Sequence, residues 1–165
     1  GMPNCEVKFS INPLTSPISS GMDKVELLFS SNKNKSPQPI DKTASGGEIS
    51  RVMLCLKYML ANSTSLPTLI FDEIDTGISG EAADLTAKML KKMSTNVQII
   101  SISHLPQIAA KATTHYFVEK SGESETTVTQ LTAEERVTAI ARMLSGSTLS
   151  DAAIKNAQAL LSEDN

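Results

Sequence analysis

Leu69-Ile70-Phe71-Asp72-Glu73-Ile74-Asp75 is the stretch on which the fold turns. A short apolar run that starts after Pro67 and ends in two adjacent acids has the length and composition of a strand buried on both faces. Val97 to Ser103 repeats the pattern, and His104 follows it directly. Between the two runs, Ala82, Leu85, Met89 and Met93 fall on one helical face. Strand, helix and strand in that order make a βαβ unit, and a βαβ unit makes a parallel sheet.

In open α/β sheets, ligands bind beyond the carboxyl ends of the strands, so Asp72, Glu73 and His104 stand where chemistry is expected. One acid can hold Mg²⁺, directly or through water, while the other accepts a proton from an attacking water. An imidazole at His104 can hydrogen-bond a γ-phosphate or that water. Plainer readings stay open beside these: charged strand ends are often no more than solvated turns, and a lone histidine is often a structural hydrogen-bonder. His115 has no comparable context and reads as structural.

Upstream, Ser45-Gly46-Gly47-Glu48 precedes an amphipathic helix marked by Ile49, Val52, Met53, Leu56 and Leu60 and fading near Asn62. Helix N-terminal amides and the positive end of the dipole favour an anion there, and two glycines remove side chains that would hold a phosphate away. Ser45 with Glu48 three residues later is equally a capping box, which serves helix stability alone.

The flanks are antiparallel in character. Val7, Phe9 and Ile11, then Val25, Leu27 and Phe29, alternate as two strands around a Pro/Ser/Gly-rich turn region. Ser30 to Thr43, with Pro37 and Pro39, reads as a surface loop. His115 to Lys120 and Thr126 to Leu131 read as strands joined around Gly122. Two helical faces close the chain, Val137, Ile140, Ala141 and Leu144, then Ile154, Ala157 and Leu161.

Composition narrows the function classes. A chain of 165 residues fits one domain with a substantial core. The core is aliphatic, since there are only four Phe, two Tyr and no Trp, which disfavours aromatic platforms for single-stranded nucleic acid. A net charge of −3 without a dense Lys/Arg run supplies no grip on a phosphate backbone, so DNA would be touched by other parts of a longer protein. Cys5 and Cys55 match no metal or redox spacing and read as free, buried or half-buried thiols in a reducing compartment. Val52 to Ala61, the most apolar stretch, is short and interrupted by Lys57, so no membrane span is expected. Gly1 before Met2 reads as a remnant of tag cleavage.

Each signal is weak by itself, but their order is specific. A glycine-rich helix start, a strand ending Asp-Glu and a strand ending in His resemble the signature motif, Walker B motif and switch histidine of ATP-binding-cassette heads. Transporter members usually carry Gln and Pro where this chain has Glu48 and Ile74. Three runs, Ala44 to Arg51, Leu69 to Gly80 and Ser103 to Ala109, are instead similar to the RecN family of DNA repair proteins. His115 to Val118 and Ile140 to Gly146 continue the likeness, which covers the chain from about Gln38 onward.

The resemblance implies an α/β fold: a partial P-loop NTPase head, mainly a parallel sheet flanked by helices, with additional antiparallel strands. Residues 1–165 would form its carboxy-terminal lobe. It also implies a bacterial, cytoplasmic, nucleoid-associated protein whose heads dimerise around ATP and Mg²⁺. Ser45, Gly46, Gly47 and Glu48 would close over the γ-phosphate held by a second head. Asp72 would position Mg²⁺, Glu73 would orient or activate water, and His104 would sense the γ-phosphate. Ser79 departs from the Asp that related heads often carry in that loop.

A phosphate-binding loop of the form G-x-x-x-x-G-K-[ST] needs a Gly-Lys pair, and this sequence has none. In the family that loop lies in an amino-terminal lobe beyond a long coiled coil, so that lobe is the first expected partner. The second is another head, and DNA is met through the whole protein. The chain by itself is therefore expected to be inactive as an ATPase. The competing readings are a non-catalytic interaction lobe and a transporter ATPase lobe.

Overall fold

The computed structural model describes residues 2–63, 67–121, 125–146 and 148–162. It divides into two compact units, Gly1–Lys57 and Tyr58–Asn165.

In the first unit, strands β1 (Glu6–Ile18) and β2 (Gly21–Ser30) form an antiparallel hairpin in register from Glu6↔Ser30 to Pro13↔Asp23. The register then shifts before Ile18↔Gly21. Both expected strands are present but run further than the apolar alternation. Pairing continues beyond Pro13 because a strand with one free edge tolerates proline. The reversal itself needs Gly21, whose φ of 123° an L side chain rarely adopts. Two short elements lie inside the expected loop: β3 (Gln38–Pro39), which adds to β2 opposite Leu28 and Phe29, and α1 (Ile40–Thr43). Neither is long enough to carry a period. One hairpin face holds Val7, Phe9, Ile11 and Val25, all exposed, whereas Phe29 on the same face is fully buried.

Helix α2 (Gly46–Ser63) runs across the boundary between the units. Its periodicity predicts the helix correctly, yet Val52 and Leu54 are its buried apolar residues, while Ile49, Met53, Leu56 and Leu60 form an exposed row.

The second unit is built around strands β4 (Thr68–Asp72) and β5 (Gln98–Ile102), paired in parallel from Thr68↔Gln98 to Asp72↔Ile102. The crossover between them is α3 (Gly80–Met93), with Ala83, Thr86, Ala87, Leu90 and Met93 inward. The βαβ expectation thus holds, but burial on both faces does not. Phe71 is 3% exposed, whereas Ile70, Ile100 and Ile102 on the opposite face are 61%, 45% and 55% exposed. Apolar residues on both faces of β4 make a strand that is ready for cover on both sides and has it on one.

After β5 comes α4 (Pro106–Lys111), started by proline at its first position, where the missing N–H is no loss. Strands β6 (Tyr116–Ser121) and β7 (Glu125–Gln130) form an antiparallel pair, and the expected junction at Gly122 lies outside the described residues. Helices α5 (Ala133–Ser145) and α6 (Asp151–Ser162) close the chain. Ile140, Ala141, Ala153, Ala157 and Ala110 form their shared core. Four of the five are alanine, so backbones rather than long side chains set the spacing. Among the described residues no helix is long and apolar enough to cross a membrane. Both cysteines are free thiols; Cys5 is half-buried as expected, whereas Cys55 is exposed because it lies beside Leu56 on the open side of α2.

Candidate functional site

The parallel pairing of β4 and β5 puts their carboxyl ends side by side. Asp72 lies opposite Ile102, and the Glu73 N–H donates to the Ile102 carbonyl at 3.1 Å, so the ladder runs one residue past the strand. Asp72 and Glu73 are both exposed at this edge, and His104 leaves β5 just beyond it. These three residues, singled out by sequence, occur together at one sheet end.

Glu73 is the one residue other than glycine with positive φ among those described, at 47°. Left-handed backbone costs an L-residue roughly 1–2 kcal/mol. A local turn holds it there: the Thr76 N–H and hydroxyl both donate to the Glu73 carbonyl, at 3.1 and 3.0 Å. The loop then closes through Ile78 N–H to the Asp75 carbonyl at 3.1 Å and enters α3 through Gly77 and Gly80, both at positive φ. Ser79 is the N-cap residue of α3 and makes no side-chain capping bond.

Asp75 is the residue to which sequence reasoning gave no role. Its side chain is 0% exposed, and its Oδ2 accepts from the Ser103 hydroxyl at 2.6 Å and the His104 backbone N–H at 3.0 Å. The same oxygen lies 3.2 Å from His104 Nδ1. Ser103 Oγ in turn accepts from the Leu105 N–H at 3.0 Å. The loop after β4 is therefore fastened to the loop after β5 through one carboxylate. The only advance signal is topological, because adjacent parallel strands bring their following loops together.

Ser45 to Glu48 belong to the first unit, where they form the reciprocal cap that their spacing allows. The Ser45 N–H and hydroxyl donate to Glu48 Oε2 at 2.8 and 2.9 Å, and the Glu48 N–H donates to Ser45 Oγ at 3.4 Å. These bonds hold the Glu48 carboxyl below the usual range. The Ser45 backbone N–H contributes most, then its hydroxyl, with smaller help from Ser31 and Arg51 against the effect of burial. A Cβ placed on Gly46 would meet nothing within 4 Å beyond its chain neighbours and its own helix backbone, so packing among the described residues does not exclude an alanine there.

Among the described residues no group of three or more His, Cys, Asp or Glu could hold a metal ion. Mg²⁺ does not need such a cage, since it is commonly bound by one or two carboxylates together with phosphates and water. Asp72 with Glu73 fits that partial set. His115 lies elsewhere, with Nδ1 buried and without a hydrogen-bond partner among the described residues. Burial, and secondarily the nearby Arg136 charge, lowers its pKa. A groove of about 610 Å³ between β6 and α5, lined by Phe117, Leu131, Arg142 and Met143 among others, takes no residue from the acidic edge.

No protein-family model matches the chain. Curated relatives do. It is 40% identical over 164 residues to the DNA repair protein RecN of Haemophilus influenzae, covering 97% of this chain and 29% of that protein. It is 43% identical over 164 residues to RecN of Deinococcus radiodurans, covering 98% and 28%. The chain thus spans less than a third of the relatives it matches, in their carboxy-terminal region. Among solved structures, the Smc head domain with coiled coil and joint of Pyrococcus yayanosii superposes with a TM-score of 0.68 at 21% identity, covering 84% of this chain and 26% of that one. A structure described under ATP-driven dimerisation and DNA-stimulated activation of SMC ATPases gives 0.64 at 20% identity, covering 88% and 85%. The fold is that of an SMC-type, P-loop ATPase-like head.

Proposed function

We propose that this RecN-like chain is the carboxy-terminal segment of an ATPase head that acts in recombinational repair of DNA double-strand breaks, with ATP hydrolysis coupled to head dimerisation. The observation that carries the reading is the convergence of Asp72, Glu73 and His104 at the carboxyl end of adjacent parallel strands. Phosphoryl transfer depends mainly on positioning and on stabilising developing charge, and this edge presents the groups for both.

In this reading Asp72 holds Mg²⁺, which supplies charge neutralisation at the transferring phosphoryl group when bound. Glu73 orients or deprotonates the attacking water, and its strained backbone is the cost of aiming a carboxylate outward from a tight turn. His104 contacts the γ-phosphate or that water. Ser45, Gly46, Gly47 and Glu48 close over the nucleotide of a second head, and the open space at Gly46 leaves room for a phosphate to approach the α2 amides. The phosphate cradle comes from an amino-terminal lobe of the same protein. The uncovered Ile70, Ile100 and Ile102 face supports a missing neighbour packed on that side of the sheet. DNA is reached through the complete protein, since this chain carries a net charge of −3.

Glu73→Gln in the full-length protein tests the assignment. The variant retains Mg-ATP binding and loses turnover at least about 100-fold, in line with removal of a general base. Undiminished hydrolysis removes Glu73 from this role.

A further inference from the structure

We infer that Asp75 is a positioning residue that selects the tautomer of His104, so that the neutral ring presents Nε2 as a hydrogen-bond acceptor at the acidic edge. Asp75 Oδ2 already accepts from the Ser103 hydroxyl and the His104 backbone N–H, so it faces Nδ1 at 3.2 Å as an acceptor, and that position favours a proton on Nδ1 over a lone pair. Which ring nitrogen is protonated is set by the bond the other one makes. With Nδ1 committed, Nε2 carries the lone pair, and the imidazole side chain is 70% exposed. The neutral ring therefore accepts from a water and cannot donate to a phosphate oxygen; only the protonated ring does the latter.

Two features argue that Asp75 does more than hold a turn. The same Oδ2 grips the His104 backbone N–H, which fixes the base of the side chain as well as its ring. Its other oxygen, Oδ1, is buried with no hydrogen-bond partner among the described residues. A carboxylate half satisfied in a fully buried site is a poor choice for stability alone, because unpaired buried acceptors are costly.

The functional consequence rests on the proposed role of His104, but the tautomer does not. The test uses the ¹⁵N-labelled 165-residue chain without nucleotide in mildly alkaline solution, read by long-range ¹H–¹⁵N correlation spectra. The chain has two histidines, and His115→Gln identifies the His104 signals by subtraction. His104 is expected with a protonated Nδ1 and a bare Nε2. Asp75→Asn keeps that pattern through its amide oxygen, and Asp75→Ala shifts the ring to a majority Nε2–H form. A wild-type ring already in the Nε2–H form overturns the inference, as does a folded Asp75→Ala chain with an unchanged ring. If Asp75→Ala does not fold, the wild-type and Asp75→Asn spectra decide. A failed ATPase assignment would leave these spectra unaffected, so the two failures are distinguishable.

Discussion

Glu73 combines a left-handed backbone with a position at the acidic edge, and the two properties oppose each other. Glycine adopts that conformation without steric penalty. Glu73→Gly is therefore expected to raise the unfolding free energy of the chain by about 0.5–1 kcal/mol, measured by urea denaturation, while abolishing turnover in the complete protein. A loss of stability would mean that the Glu73 side chain contributes to the fold. His115 makes a second prediction at this scale. Its folded pKa lies below the ordinary 6.5 because of burial, so the unfolded chain binds the proton first as pH falls. The associated stability is fully present above about 6.5 and is lost progressively below it, down to the folded pKa. Urea midpoints for His115→Gln should show a flatter dependence across that window than the wild type. Asp75 shows why this scale was only partly legible. Residues 72, 73 and 104 stand at the ends of readable strands, whereas the bonds from Asp75 to Ser103 and His104 depend on which strands become neighbours.

At the scale of elements, apolar periods located β1, β2, α2, α3, α5 and α6, each long enough to repeat its pattern, short continuous apolar runs located β4 and β5, and the strands read around Gly122 are β6 and β7. They did not locate β3, α1 or α4, which have two, four and six residues. Nor does a period say what covers the apolar face it reveals. The row Ile49, Met53, Leu56 and Leu60 on α2 and the Ile70 face of β4 are as apolar as a core and lie open. The start of α2 carries its own test. Ser45→Ala removes the hydroxyl from the cap and should cost about 1 kcal/mol. Because the Glu48 carboxyl is held below its ordinary 4.5, its stabilisation is present above that value and fades as pH falls through the folded pKa. The variant should show less of this acid sensitivity in the same urea series. Gly46→Ala, by contrast, enters open space on a helix and should leave stability unchanged or raise it by roughly 0.5 kcal/mol, while impairing ATP-dependent head engagement in the full protein. A Gly46→Ala chain that is destabilised would show that glycine serves the fold here.

At the scale of the whole molecule, the proposed reading gives the chain groups that act on a phosphate and groups that close over one, while its sequence has no Gly-Lys pair of the kind a phosphate loop needs. Its likeness to the carboxy-terminal region of RecN proteins four-tenths identical to it, of which it spans under a third, fits a lobe that works only with the remainder of its head. The absence of a Gly-Lys pair was legible in the sequence because a phosphate loop has an obligatory local pattern. The open apolar faces were not, since exposure is a property of the assembled chain. The central claim is that nucleotide binding requires a second lobe, and calorimetric titration of Mg-ATP tests it most directly. Little or no binding is expected for the 165-residue chain alone, with binding appearing once the amino-terminal lobe carrying the phosphate loop is added. Micromolar binding of Mg-ATP by this chain alone would contradict the account.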